Sequence, residues 1–112
     1  MTECDVVQMV KSMGFPTAYH HFGEGDEPEK PYIVYLYPGT NNFSADGIVY
    51  QGVNQLDIEL YTEKKDLIAE KKVEAVLKKH GFYYEKTETY LTSEKMYEVL
   101  YETEVLINGE QS

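Results

Sequence analysis

Between residues 53 and 62 the chain alternates without a break, with Leu56, Ile58 and Leu60 on one side and Gln55, Asp57, Glu59 and Tyr61 on the other. Period two over this length predicts a strand with one covered face and one polar face. A second run, residues 95–107, puts Tyr97, Val99, Tyr101, Thr103, Val105 and Ile107 on one side. Its other side carries Glu98, Glu102 and Glu104, broken by Met96, Leu100 and Leu106. Two long half-covered strands demand a layer to cover them, and the segment between supplies a helix. Asp66 can cap it, Ala69, Val73, Val76, Leu77 and His80 form its apolar stripe, and Gly81 stops it, with lysines and glutamates opposite.

The remaining segments complete the same layer. Residues 2–13 read as a short helix capped by Thr2, with Glu3 and Asp5 in the first turn and Val6, Met9, Val10 and Met13 as its stripe. Residues 17–22 read as a strand with Ala18, His20 and Phe22 on one side. Residues 23–31, with two glycines and two prolines, read as a surface loop between antiparallel strands. Residues 31–37 are apolar at nearly every position, as in a strand covered on both faces. Residues 38–52 form the longest irregular stretch, with Ile48, Val49 and Tyr50 pairing briefly inside it; a connection this long is expected to be mobile in a free subunit and ordered in an assembled one. Residues 83–91 and 95–107 make a hairpin around Thr92, Ser93 and Glu94. The predicted order is α-β-β-β-β-α-β-β: an α+β domain, mainly antiparallel, with two helices packed on one face of the sheet. One core suffices for 112 residues, so a single domain over 1–112 is expected, with 108–112 as a loose tail.

Charge narrows the partners. Twenty acids stand against ten basic residues, all lysines, for a formal charge of −10. Such a chain is repelled by nucleic acid and by anionic membrane, and it lacks arginine, the residue best suited to bidentate phosphate or guanine contacts. Specific nucleic-acid binding and a membrane location are therefore not expected. Cys4 is the single cysteine, which excludes an intramolecular disulfide and suits a reducing aqueous compartment.

No constellation for catalysis assembles in the sequence, and neither enzyme activity nor a cofactor is expected. His20 and His21 stand beside Glu24, Asp26, Glu27 and Glu29, but adjacent strand histidines face opposite ways and spaced zinc ligands are missing. Cys4 and His80 fit the apolar stripes of their helices, so a buried, inert thiol is expected in place of a thiolate–imidazole pair. No phosphate loop is present: the glycines at 23 and 25 are followed by acids. Two features are left for recognition. Exposed tyrosines, Tyr83 and Tyr84 among them, suit interface anchors. Asp57, Glu59, Glu98, Glu102 and Glu104 make an acidic outer face, read either as solvation and edge protection or as a negative wall past which DNA slides. Both readings stand at this level.

Three blocks carry a resemblance: Asn41-Asn42-Phe43-Ser44-Ala45-Asp46-Gly47-Ile48-Val49-Tyr50, then residues 55–66, then residues 82–107. In order and spacing they resemble the small tail-completion proteins of siphophages and prophages of Gram-positive bacteria, the tail-terminator type. That resemblance implies a sheet backed by helices and a structural, non-catalytic role. It implies a homo-oligomeric ring in the virion, commonly hexameric, that caps the tail tube and joins tail to head, with the isolated chain either monomeric or assembled. The implied partners are a second copy of the chain, the tail-tube protein and the head–tail connector protein. The implied location is the virion neck, after assembly in the host cytoplasm. Within that expectation Asn41, Asn42, Phe43, Ile48, Val49, Tyr50, Tyr83 and Tyr84 form the candidate subunit interface. Asp57, Glu59, Glu98, Glu102 and Glu104 form the candidate lumen face. Another neck or head-completion protein, a tail assembly chaperone, and an acidic inhibitor mimicking DNA are the alternatives. The lysines at 64, 65, 71, 72, 78 and 79 weigh against mimicry, because they place positive charge over one helix.

Overall fold

The computed structural model describes residues 2–23, 25–39, 44–45, 48–49 and 52–107, with the backbone alone at 44–45, 48–49 and 52. Its elements run α1 (Glu3–Lys11), β1 (Thr17–Tyr19), β2 (Tyr32–Leu36), β3 (Ser44–Ala45), β4 (Ile48–Val49), β5 (Gly52–Thr62), α2 (Leu67–Lys79), β6 (Glu85–Leu91) and β7 (Met96–Ile107). Five strands form one sheet in the order β1-β2-β5-β7-β6, and β3 and β4 pair separately. The architecture is the expected α+β arrangement, a mainly antiparallel sheet with both helices on one face. It has one short strand more than the periodicity suggests, because residues 44–45 pair with 48–49.

The alternating runs dictate where the core lies. Leu56, Ile58 and Leu60 of β5 and Val99, Tyr101 and Val105 of β7 meet Ile33 and Tyr35 of β2 on one face. Val6, Met9 and Val10 of α1, Met13 just beyond it, and Ala69, Val73 and Leu77 of α2 close over them. Burying each such aliphatic side chain contributes about 1.5–3 kcal/mol, so this one cluster holds the layers together. Local signals place the helices. Thr2 and Asp5 form a reciprocal capping box at α1, and the Asp66 side chain accepts from the Ala69 amide at 3.0 Å at α2. Gly81, at φ +78°, lets the chain leave α2 in the left-handed region that other residues avoid.

Several expectations need correction. The first strand ends at Tyr19, since His20 takes φ +71° and turns the chain away. Its pairing with β2 is parallel, Thr17 opposite Ile33, so residues 20–31 are a crossover returning to the same end of the sheet. His20 and His21 follow the strand instead of alternating within it, and their Nδ1 atoms lie 2.9 Å apart. Cys4 is exposed, on the side of α1 away from the core. His80 is exposed too: its Nδ1–H donates to the Val76 carbonyl at 3.0 Å, a cap on the last turn of α2. Val76 is only half-buried, and the sixth strand starts at Glu85, two residues after Tyr83.

Glu70 departs furthest from the expected pattern. It lies on the covered side of α2 with 2% of its surface exposed. Its carboxylate sits 2.7 Å from Lys65 Nζ and 2.7 Å from Lys86 Nζ, and Lys86 also reaches Glu74 at 2.7 Å. The Tyr101 hydroxyl donates to Glu74 at 2.8 Å, and Lys65 is paired with Glu88. The contact of Glu70 Oε1 with Lys86 is ionic, without the directionality of a hydrogen bond. Burial pushes the Glu70 carboxyl up, but the close contacts and positive charges of the two lysines outweigh it, leaving the group below its ordinary range. The same carboxylates overcome the burial of Lys86 and push it up to about 12. This network ties α2 to the far edge strand of the sheet.

Candidate functional site

The sheet face away from the helices carries the candidate site. Register alone lays out its side chains: Tyr61 stands opposite Glu98, Glu59 opposite Leu100, Asp57 opposite Glu102, and Gln55 opposite Glu104. One strand further, Glu85 of β6 stands opposite Glu102 and Thr89 opposite Glu98. All five acids read from the sequence as one face do share it, and Glu85 joins them. No lysine occupies that face in β1, β2, β5, β6 or β7. Among the described residues Asp57, Glu59, Glu85, Glu98 and Glu102 form no ion pair.

Like charges directly opposite one another on neighbouring strands destabilise a sheet. The Asp57 carboxyl is raised by burial and by Glu102. Glu59 is raised by burial first, and then by Glu98 and Asp57, against a lowering hydrogen bond from Tyr61. The single Tyr61 hydroxyl proton is shared between Glu59 at 2.8 Å and Glu98 at 3.1 Å, and burial and both acids push its ionisation far upward. It is a neutral donor holding two carboxylates in place. The face thus crowds like charges on neighbouring strands, with Glu85, Glu102 and Glu104 exposed to solvent.

A groove of about 570 Å³ opens where this face meets the turn into β6, lined by Asp57, Glu85, Glu102 and Glu104 with Tyr83 and Tyr84 at its wall. Tyr83 is 94% exposed, with its backbone carbonyl accepting from the Thr103 hydroxyl. Tyr84 turns the other way, half-buried edge-on against Tyr101 at 5.3 Å. So the structure brings Tyr83 and the acidic face together and commits the Tyr84 ring to the interior. At the β2 end the face is covered: Tyr32 and Val34 are buried, and Phe22 stands edge-on to Tyr32 at 5.2 Å. Asn41, Asn42, Phe43 and Tyr50 lie outside the described residues, as do the side chains of Ile48 and Val49 and most of the 38–52 stretch.

Carboxylates dominate the polar groups of this face, and no group of three His, Cys, Asp or Glu residues among the described residues could hold a metal ion. No described helix is long and apolar enough to cross a membrane. Comparison of the sequence with protein-family models and with curated proteins gives no match in either case.

Proposed function

We propose that the chain is a structural component of a phage tail, of the tail-terminator type: a ring that caps the tail tube and joins it to the head connector, turning over no substrate. The observation that carries this reading is the ordered resemblance of residues 41–50, 55–66 and 82–107 to that family. Support comes from the sheet backed by helices that the resemblance implies, and from an open face built of side chains suited to contact. Electron microscopy of tails assembled without the protein tests it. Irregular or overlong tubes that fail to join heads are expected, and uniform tails that still join would reject the reading.

One observation favours a second reading, an acidic inhibitor that mimics DNA. Lys71, Lys72, Lys78 and Lys79, four of the six lysines that weigh against it in the sequence, lie on α2, across the sheet from the carboxylates, and on the open face the strands carry acids and no lysine. A mimic would bind a DNA-binding protein in competition with duplex DNA, and the complex would weaken steeply with salt. Indifference of such complexes to added DNA would remove this alternative.

A further inference from the structure

The charges of this chain are sorted by layer, and this sorting holds the inference. Lys71, Lys72, Lys78 and Lys79 are exposed on α2, with Lys64 just before it. Lys71 and Lys78, like Lys72 and Lys79, are seven residues apart, two helical turns, so each pair forms a row on the outer side of the helix. None of the five forms an ion pair among the described residues; the lysines that do, Lys65 and Lys86, serve the Glu70 network. The opposite layer is the open sheet face, with carboxylates and no lysine. The two patches match in length: Lys71 to Lys79 covers about 12 Å of helix, and Glu98 to Glu102 about 13 Å of strand. Each also has an apolar element at its side. Ile68 is 72% exposed beside the lysine rows, and Leu100 sits half-buried among the acids of the sheet. An apolar centre within a charged surround is the usual anatomy of a protein interface.

We infer that the open sheet face of one copy docks on the outer face of α2 of the next, carboxylates against lysines and Leu100 against Ile68. This rests on the reading of the chain as a self-assembling ring component and names the surfaces it assembles through. A second copy is the occupant favoured because the complementary patch is carried by the same molecule in equal amount. The two patches differ, so the contact is heterologous and repeats head to tail, closing into a ring where the rotation per step divides the circle. It also takes the acids out of the channel and makes them a subunit contact. A net charge of −10 opposes association at long range. At about 0.15 M salt that repulsion is screened beyond about 8 Å, while ion pairs at contact distance are screened less.

Charge-reversal complementation on the full chain tests this by sedimentation equilibrium at about 0.15 M salt. One variant carries Glu85→Lys and Glu102→Lys, the other Lys71→Glu and Lys78→Glu; all four positions are exposed, so melting temperatures near the parent's are expected. The parent should associate with rising concentration. Each variant alone should associate at least about tenfold more weakly. An equimolar mixture should recover to within about threefold of the parent, because each reversed face then meets its complement. Glu102→Gln with Lys71→Gln, which removes charge without reversing it, should give an intermediate loss and no rescue on mixing. Association of both reversed variants at parental strength, a mixture that stays dissociated, or a parent that is monomeric throughout would each overturn the interface. Tails assembled with the reversed variants separate the two claims. Normal capping by each variant rejects this interface and leaves the ring reading intact, whereas normal tails lacking the protein reject the ring reading itself.

Discussion

At the scale of single residues, Val73 and Glu70 show how differently two positions of one helix are constrained. Val73 is fully buried under α2, so Val73→Asp places an unpaired carboxylate in the core and should cost several kcal/mol, enough to unfold a marginal domain. A melting temperature within a few degrees of the parent would show that α2 does not pack as described. Val76, which the helical spacing nominates equally, is half-buried and should tolerate a polar residue better. Glu70 is a buried charge whose two partners are 36% and 41% exposed at their side chains. Removing the acid frees lysines that can turn to water, so Glu70→Gln should cost about 1–2 kcal/mol. Removing both lysines strands the carboxylate, and Lys65→Met with Lys86→Met should cost about 3–5 kcal/mol. Urea midpoints measure the difference; a Glu70→Gln variant more damaged than the double lysine variant would mean that water reaches Glu70 where the structure buries it.

The elements separate what a one-dimensional pattern encodes from what it cannot. Leu56, Ile58 and Leu60 announce β5 because period two and one-sided burial are the same fact seen twice, and β7 follows for the same reason. The five acids of the open face were legible through those two strands, since alternation fixes which side a residue takes. Glu85 was missed because its place depends on β6 pairing with β7 at a particular register, with Glu85 opposite Glu102. Strand direction is also invisible to alternation, which is why the parallel β1–β2 pair reads as antiparallel until the crossover is seen. Glu70 escaped notice because Lys65 and Lys86, its partners, come from opposite ends of α2 in sequence and converge only in space. His80 continues the helical stripe in number but falls past the last turn, where a ring nitrogen finds a carbonyl in preference to the core. Caps, by contrast, are local and were legible: Asp66→Ala should lose the hydrogen bond to the Ala69 amide and cost about 1 kcal/mol. A shift in urea midpoint too small to detect would show that the first turn of α2 is held by the Lys65–Glu70 contact alone.

For the whole molecule, the sorting of charge into layers sets how stability responds to pH. Two opposed contributions act below neutrality. Glu70 is held below its ordinary value of 4.5, so the stability it contributes is present above that value and lost as pH falls through its lower folded value. Asp57 and Glu59 are raised above 3.8 and 4.5, because burial and neighbouring acids disfavour their charged forms. Their ionisation withdraws stability as pH rises through the folded values, and acidification returns it. The windows of Glu59 and Glu70 are therefore offset: relief of Glu59 lies above 4.5 and comes first on acidification, and loss of the Glu70 network follows below it, where relief of Asp57 extends down to 3.8. Melting temperature should rise as pH falls through the raised folded value of Glu59, pass a maximum, and drop once pH is below 4.5 and Glu70 begins to be protonated. Lys86, pushed up to about 12, keeps its contribution below 10.5 and loses it only as pH climbs through 12, so the network is intact across the neutral range. General relief of a net charge of −10 acts in the same direction as the relief of Asp57 and Glu59, and a variant separates them. Glu59→Gln removes one charge of the many but takes away a half-buried one flanked by acids, so it should raise stability at pH 7 and flatten most of the rise on acidification. An exposed control, Glu94→Gln, changes net charge equally and should leave the rise in place. Equal flattening by both variants would assign the effect to overall charge and leave the open face without the strain that its paired carboxylates imply.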